Sequence, residues 1–294
     1  MATTSLGLSE KQQLLRMTGV GASEVWDVLN GGIVTYARKV GEAEPFEGNS
    51  LTEFGHRIER VIAEAYAERH PGIRVFTPGT LRHPKHEWAL ATLDRVVAPP
   101  GIGRPGRAQW IEGLEIKVSF FSDADYGEGA DEVPEKYAVQ VQWQMEVADL
   151  EQVTLVALVR GDYREYPIQR DREMGAMLLE VVGRFWHDHV LARVPPPADG
   201  SKAYTDFLRR RYPAETGPVL TPSPEALDVV ARLRAAQAES KRAGQAEELV
   251  KQQLLQLLGG AAGFEGLCTY RLQKGSTYTV TREASRVLRL VKEK

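Results

Sequence analysis

Asp94 in "ATLDRVV" is followed, after a Pro/Gly-rich loop, by Glu115 and Lys117 in "GLEIKVS". Residues of these types in this order can support phosphodiester hydrolysis. A phosphodiester resists water because it is already anionic and its transition state gathers more charge. A divalent cation held by two or three carboxylates supplies a nucleophilic water near neutral pH and a counter-charge. A nearby lysine can orient or deprotonate that water and stabilise charge. The requirement is an acid on one strand, an acid-x-Lys on the adjacent strand and often a further acid on a supporting helix. Asp94, Glu115, Lys117 and Glu59 meet it.

Each residue alone has a plainer reading. Asp94 can be a strand-end acid, Glu59 a solvated acid beside Arg60, and Glu115 with Lys117 a surface pair worth about 0–1 kcal/mol. The second Glu-x-Lys, Glu239 and Lys241, shows how little the tripeptide decides. It lies in a helical stretch, where i and i+2 point apart, and no acid-bearing strand precedes it. The order of acid, long loop and acid-x-Lys leaves the functional and the plain reading level.

The elements that must position these residues follow from periodicity. "LTEFGHRIERVIAEAYAERHPG" places Phe54, Ile58, Val61, Ile62, Ala65 and Tyr66 at helical spacing, with Glu59 at the stripe's edge. "EWALATLDRVVA" reads as one strand with Trp88, Leu90, Thr92, Asp94 and Val96 on a single face, and "PPGIGRPGR" as a loop. "AQWIEGLEIKVSF" reads as the next, antiparallel strand. Its period of two puts Leu114, Ile116 and Val118 on one face and Glu115, Lys117 and Ser119 on the other. "EKYAVQVQWQMEVADL" reads as a helix, with Val139, Trp143 and Val147 on one face and Gln140 and Gln144 on a neighbouring one. "EQVTLVALVRGDYREYPIQR" reads as a strand pair turning at Gly161-Asp162, and residues 171–194 as a long amphipathic helix. Near the start, residues 9–30 read as helical at both ends around "MTGVGAS", with Ser23 as an N-cap. A short helix spans 35–41.

Composition removes several classes. One cysteine, Cys268, excludes an internal disulfide and any multi-cysteine metal or iron–sulfur site. No Walker loop, dinucleotide-binding glycine pattern or nucleophile elbow is present. "GVGASEV" is Gly-rich but follows no clear strand; its amides and Ser23 can still hold a phosphate at a helix N-terminus. His83 and His86, like His187 and His189, lack a ligand spacing and read as surface residues near element ends. With no signal-like start and no 18-residue apolar run, the expectation is a cytoplasmic protein. Residues 1–194 carry 21 Lys+Arg against 29 Asp+Glu, and residues 195–294 carry 16 against 11. The acidic part suits a site that gathers carboxylates around a cation; the basic part suits contact with phosphates.

Together these segments resemble the YqaJ-like viral recombinase family, relatives of phage lambda exonuclease within the PD-(D/E)xK nuclease superfamily. The resemblance runs through about residues 12–190. "LLRMTGVGASEV" resembles the family's Arg-then-Gly-x-x-x-Ser opening and "GHRIE" its Gly-x-x-x-Glu helix. "ATLDRVV" and "GLEIKVS" resemble its two catalytic strands. "VPEKYAVQVQWQM" resembles its Pro…Tyr…Gln-x-Gln helix and "RFW" its closing helix. The motif's proline is replaced by Leu93, which leaves the carboxylate of Asp94 in place.

The resemblance implies an α/β fold with a restriction-endonuclease-like core, in which a central mixed sheet is flanked by helices. It implies a metal site of Asp94, Glu115, the Ile116 carbonyl and Glu59, the last directly or through water, binding one or two Mg²⁺ or Mn²⁺ ions. Lys117 would activate the water and Gln140 would position substrate or water. Arg16, Ser23 and, beside them, Thr92 would bind the 5′-phosphate of DNA. The implied activity is 5′→3′ digestion of double-stranded DNA from its ends, giving 3′ tails that a single-strand annealing recombinase uses. Lambda exonuclease is a ring-shaped trimer, a homo-oligomeric state that the quoted motifs do not themselves carry. Two alternatives remain: an endonuclease or repair nuclease of the same superfamily, and a non-catalytic DNA-end-binding protein.

For organisation, the sequence suggests a nuclease domain over 1–194, a linker over 195–223 opening with "PPPADG", and a C-terminal extension over 224–294. The extension reads as helix, with a 4-3 seam from Val229 to Leu257 interrupted by Gly244, then a short hairpin within 267–294 and a basic end.

Overall fold

The computed structural model describes residues 14–43, 50–101, 103, 105–120, 125–127, 129, 132–277, 279–280 and 286–291. The start of the helix expected from residue 9, most of the loop 41–50, parts of the loops 99–107 and 122–134 and much of the basic end lie outside them. The fold is mixed α/β. Its main sheet has five strands in the order β2 (Arg74–Phe76), β5 (Arg95–Ala98), β6 (Glu112–Ser119), β7 (Gln152–Val159) and β8 (Asp162–Gln169). Only β6 and β7 run parallel; the other neighbours are antiparallel. A parallel pair needs a crossover, and helix α4 (Glu135–Ala148) provides it.

Alternation along β6 sends its two faces to two helices. Leu114 and Ile116 pack with Ile62, Ala63 and Tyr66 of α3 (Ser50–Arg69). On the opposite face, Val141 and Met145 of α4 pack with Val153, Leu155 and Ala157 of β7. The apolar set Val139, Trp143 and Val147 turns the other way. It joins α1 (Ala22–Leu29), α2 (Ile33–Lys39) and α5 (Arg172–Phe185) in a second core. Trp143 is fully buried, and its indole N–H donates to the Leu90 carbonyl at 2.9 Å, so the ring contributes packing without stranding a polar group.

The single strand expected over residues 87–98 is two strands in two sheets. β4 (Ala89–Ala91) lies between β1 (Val20–Gly21) and β3 (Leu81–Arg82) in a three-stranded sheet, whereas β5 belongs to the main sheet. The chain crosses between them at Thr92–Asp94, where Leu93 plugs a core. Gly113 permits this: a Cβ there would come within 2.1 Å of the Leu93 side chain. The Gly-rich segment itself contains a short strand, because Val20–Gly21 pairs in parallel with Ala89–Leu90. Two residues are too few for a periodicity to register.

The chain divides into two units between Arg211 and Tyr212. The division falls beyond the Pro-rich stretch at 195–200 because α6 (Lys202–Arg211) packs on α2. Phe207 is buried there, edge-on to Tyr36 at 6.0 Å. Among its described residues the second unit, taken by itself, contains one helix, α7 (Pro224–Leu258). Ser223 caps it, its hydroxyl accepting from Ala226 N–H, and Gly244 is absorbed without a break. The hairpin pairs β9 (Gly263–Phe264) with β10 (Cys268–Thr269), so its first strand precedes the tail over 267–294 expected to form it and its second lies at the start of that tail.

Candidate active site

The pairing of β5 with β6 sets the geometry. Val96 faces Gly113 and Arg95 faces Leu114, so the next step along the register brings Asp94 beside Glu115. Asp94 Oδ2 accepts from the Ile116 N–H at 2.8 Å, pinning the end of the broken strand to the middle of β6. Glu115 is 2% exposed. Its Oε1 accepts from Lys117 Nζ and from Gln140 Nε2, both at 2.5 Å, and its Oε2 from Gln144 Nε2 at 2.6 Å. Three donors on one buried carboxylate fix its orientation. Gln140 and Gln144 sit one helical turn apart on α4, so the crossover that makes β6 and β7 parallel also supplies the carboxylate's ligands.

The electrostatics favour a cation. Burial first, and then Glu115, push the Asp94 carboxyl well above the usual carboxylate range. Burial works against the Lys117 ammonium, but Glu115 and then Asp94 outweigh it and hold that group above its ordinary value. Its charge also lies over the Tyr137 ring, 4.9 Å from the centroid. A cation at this place would offset the burial and the neighbouring Glu115 that disfavour the charged form of Asp94.

Every residue assigned to the site from the sequence lines one cavity of about 240 Å³: Arg16, Ser23, Glu59, Thr92, Asp94, Glu115, Ile116, Lys117 and Gln140. At one end Arg16 Nη2 donates to Ser23 Oγ at 3.1 Å. Ser23 is in the first turn of α1 and does not cap it, since Gly21 holds the cap position. Thr92 Oγ1 is 3.0 Å from Thr80 Oγ1. Glu59 reaches the cavity from α3, where its Oε1 is 2.9 Å from His56 Nδ1.

Among the described residues, no three of the His, Cys, Asp and Glu side chains gather as a metal-holding group. Glu59 stays with His56, and the pair that meets is Asp94 with Glu115. That pair suits a hard divalent cation. Its donors are carboxylate oxygens, and Asp94 is held in place by the N–H of Ile116.

Sequence reading missed several contributors. Gln144, His56, Thr80, Glu24 and Lys39 all bear on this cavity or its walls. Gln144 lay in plain view at i+4 from Gln140. The buried pair Glu24 and Lys39, 2.7 Å apart, joins two helices and left no local signal. His83 is buried and not a surface residue: its Nδ1 accepts from the N–H groups of Lys85 and His86. A larger hollow of about 730 Å³ beside Trp26, Tyr126 and Lys136 contains none of the candidate residues. Its Asp125, Glu132 and Glu135 make it a poor phosphate site.

Residues 13–151 match the model of the YqaJ-like viral recombinase domain. The matched segment is similar to that domain over just under half of the chain. It contains the broken strand, the Glu-x-Lys strand, the Arg16–Ser23 corner and the glutamine helix. The chain is similar to the protein called Uncharacterized protein YqaJ of Bacillus subtilis (strain 168), with 29% identity over 212 residues. The match covers 68% of this chain and 62% of that one, so this chain spans less than two thirds of the relative's length. Among solved structures, it is similar to an alkaline exonuclease (LHK-Exo) from Laribacter hongkongensis, at 21% identity and a TM-score of 0.44, over 69% of this chain and 97% of that one. It is also similar to a phage-related exonuclease from Haemophilus somnus 129PT, at 16% identity and a TM-score of 0.41, over 57% and 82%.

Proposed function

We propose that this protein is a Mg²⁺- or Mn²⁺-dependent exonuclease that digests linear duplex DNA 5′→3′ from its ends. The observation that carries this reading is the meeting, in one cavity of the YqaJ-like domain, of Asp94, Glu115 and Lys117 with the Arg16–Ser23 corner. Asp94 and Glu115 are the residues that would hold the cation, which when bound supplies an acidified water and positive charge against the transition state.

The chain's own residues divide the remaining work. Gln140 and Gln144 orient the Glu115 carboxylate from α4. Lys117 carries positive charge beside Glu115 and holds a proton at Nζ; it faces the phosphate oxygens and the attacking water. Arg16 and Ser23 take the 5′-terminal phosphate, with Thr92 alongside, and so set which phosphodiester reaches Asp94. Water adds at phosphorus and the bond to the 3′ oxygen of the terminal nucleotide breaks. A 5′-mononucleotide leaves, and the shortened strand again ends in a 5′-phosphate. The remaining strand becomes a 3′ tail of the kind a single-strand annealing recombinase uses. This reading places the protein in the cytoplasm of its host cell and allows a homo-oligomer around the duplex.

End-labelled linear duplex tests the reading. Mg²⁺-dependent loss of label from the 5′ end, absent with chelator and absent in Glu115→Ala, is the expected result. Cutting of a closed circle would favour the endonuclease reading. End binding without turnover under any divalent cation would favour a non-catalytic end-binding protein.

A further inference from the structure

The Arg16–Ser23 corner rests on a buried ion pair. Glu24 lies in the first turn of α1, next to Ser23, and Lys39 ends α2; their side chains are 9% and 2% exposed. One Glu24 oxygen, Oε2, accepts both from the Gly21 N–H and from Lys39 Nζ, each at 2.7 Å. The same Lys39 ammonium donates to the backbone carbonyl of Arg16 at 2.6 Å. One side chain therefore ties together the residue that presents a guanidinium, the glycine that leads into α1 and a carboxylate adjacent to Ser23.

We infer that Lys39 is a positioning and specificity-determining residue for the 5′-phosphate, acting through Arg16 and Glu24 and not by touching the phosphate itself. This inference rests on the proposed assignment of Arg16 and Ser23 to that phosphate. Two physical effects support it. First, Glu24 places a negative charge within one residue of Ser23, in the turn where an incoming phosphate needs positive potential. Arg16, Lys39 and Glu24 sum to one positive charge, and removing Lys39 brings that sum to zero. Second, Arg16 ends a short helical turn and precedes a two-residue strand. The Lys39 bond to its carbonyl fixes the backbone from which the guanidinium reaches Ser23. Burial by itself lowers the Lys39 pKa, with Glu24 opposing and Arg16 adding to the lowering, as expected for cations clustered around one acid.

The test measures binding of a fluorescent hairpin duplex, with a 5′-phosphate or a 5′-hydroxyl end, by anisotropy without divalent cation. Wild type is expected to prefer the phosphate end. Lys39→Met is expected to cut the ratio of the two affinities by about tenfold, whereas Lys39→Arg, which can still pair with Glu24, keeps most of it. The double variant Glu24→Gln, Lys39→Met leaves no uncompensated buried charge and covers the case in which the single variant does not fold. It should lose less of the ratio than the single variant, but some of it, because Arg16 is released. An unchanged ratio in Lys39→Met or in the double variant overturns the inference, as does an equal loss for both ends, which would mean a general structural role. A wild type that binds both ends alike overturns instead the assignment of Arg16 and Ser23, and with it this role for Lys39.

Discussion

Glu115 is the residue on which the site is organised, and its partners predict distinct consequences of substitution. Glu115→Ala removes the acceptor of three donors, and Lys117→Ala removes one donor and the charge facing two acids. Each should lower turnover by about 10³-fold or more, while circular dichroism remains that of the wild type. Asp94→Asn should separate stability from function. Burial and Glu115 disfavour the Asp94 charge in the metal-free protein, so the amide should leave the melting temperature unchanged or raise it. Activity should still be lost. A marked fall in melting temperature for Asp94→Asn would mean that its carboxylate is structural.

At the scale of elements, the site depends on short strands that pass close to one another. Val20 N–H donates to the Trp88 carbonyl at 2.7 Å, and a Cβ on Gly19 would sit 2.2 Å from that oxygen. Gly19→Ala should therefore separate β1 from β4, lower stability by about 1–3 kcal/mol and weaken the Arg16–Ser23 corner; denaturant melts and end binding would register both. His83 gives a pH-dependent expectation. Burial, and then His86, depress its pKa, and its Nδ1 must stay unprotonated to accept two N–H bonds. A folded pKa below the unfolded one contributes stability that is present above about pH 6.5 and is lost as pH falls through the folded value. Melting temperatures should drop on acidification toward pH 5. His83→Asn, which can accept without titrating, should flatten that slope.

The same strands explain what the sequence made legible. Residues 51–69, 135–148 and 152–169 carry long periodic patterns, and these elements appear where periodicity puts them. The face of Glu115 and Lys117 followed from alternation alone. Alternation did not reveal that residues 87–98 change sheets at Asp94, because Leu90, Leu93 and Val96 are apolar on either side of the break and the reason for it, the place for Leu93 over Gly113, is a long-range contact. Nor could local pattern foresee Glu24 with Lys39, or Arg170 bridging Glu146 and Asp149. Such pairs join residues that are distant in sequence and join them through side-chain reach.

For the whole molecule, the boundary between units gives a prediction about truncation. Phe207 fills a place against Tyr36 and Tyr204 in the core that backs α1 and α2. Ending the chain after Val194 removes it and should cost about 3–5 kcal/mol. Ending the chain after Arg211 keeps it and should leave the first unit's melting temperature near that of the full chain. The first unit runs to Arg211, with α6 supporting α2 behind the Arg16–Ser23 corner. The second unit's helix α7 runs 35 residues, about 52 Å at 1.5 Å per residue, and leaves Leu249, Val250 and Leu257 exposed. Together with the excess of basic residues after 195, this motivates the proposal of a partner- or DNA-contacting extension. Comparing DNA affinity and oligomeric state of the full chain and the chain ending at Arg211 tests it; identical values would remove that role.

The central claim is that Asp94, Glu115 and Lys117 hydrolyse DNA at an end fixed by Arg16 and Ser23. Its most direct test digests a linear duplex, labelled at the 5′ end of one strand and the 3′ end of the other, beside a closed circle, with Mg²⁺ or with chelator. The account predicts Mg²⁺-dependent release of the 5′ label as mononucleotide, retention of the 3′ label on a lengthening single strand, an intact circle and no reaction by Lys117→Ala. Release of the 3′ label first, cutting of the circle, or full activity of Lys117→Ala would contradict it.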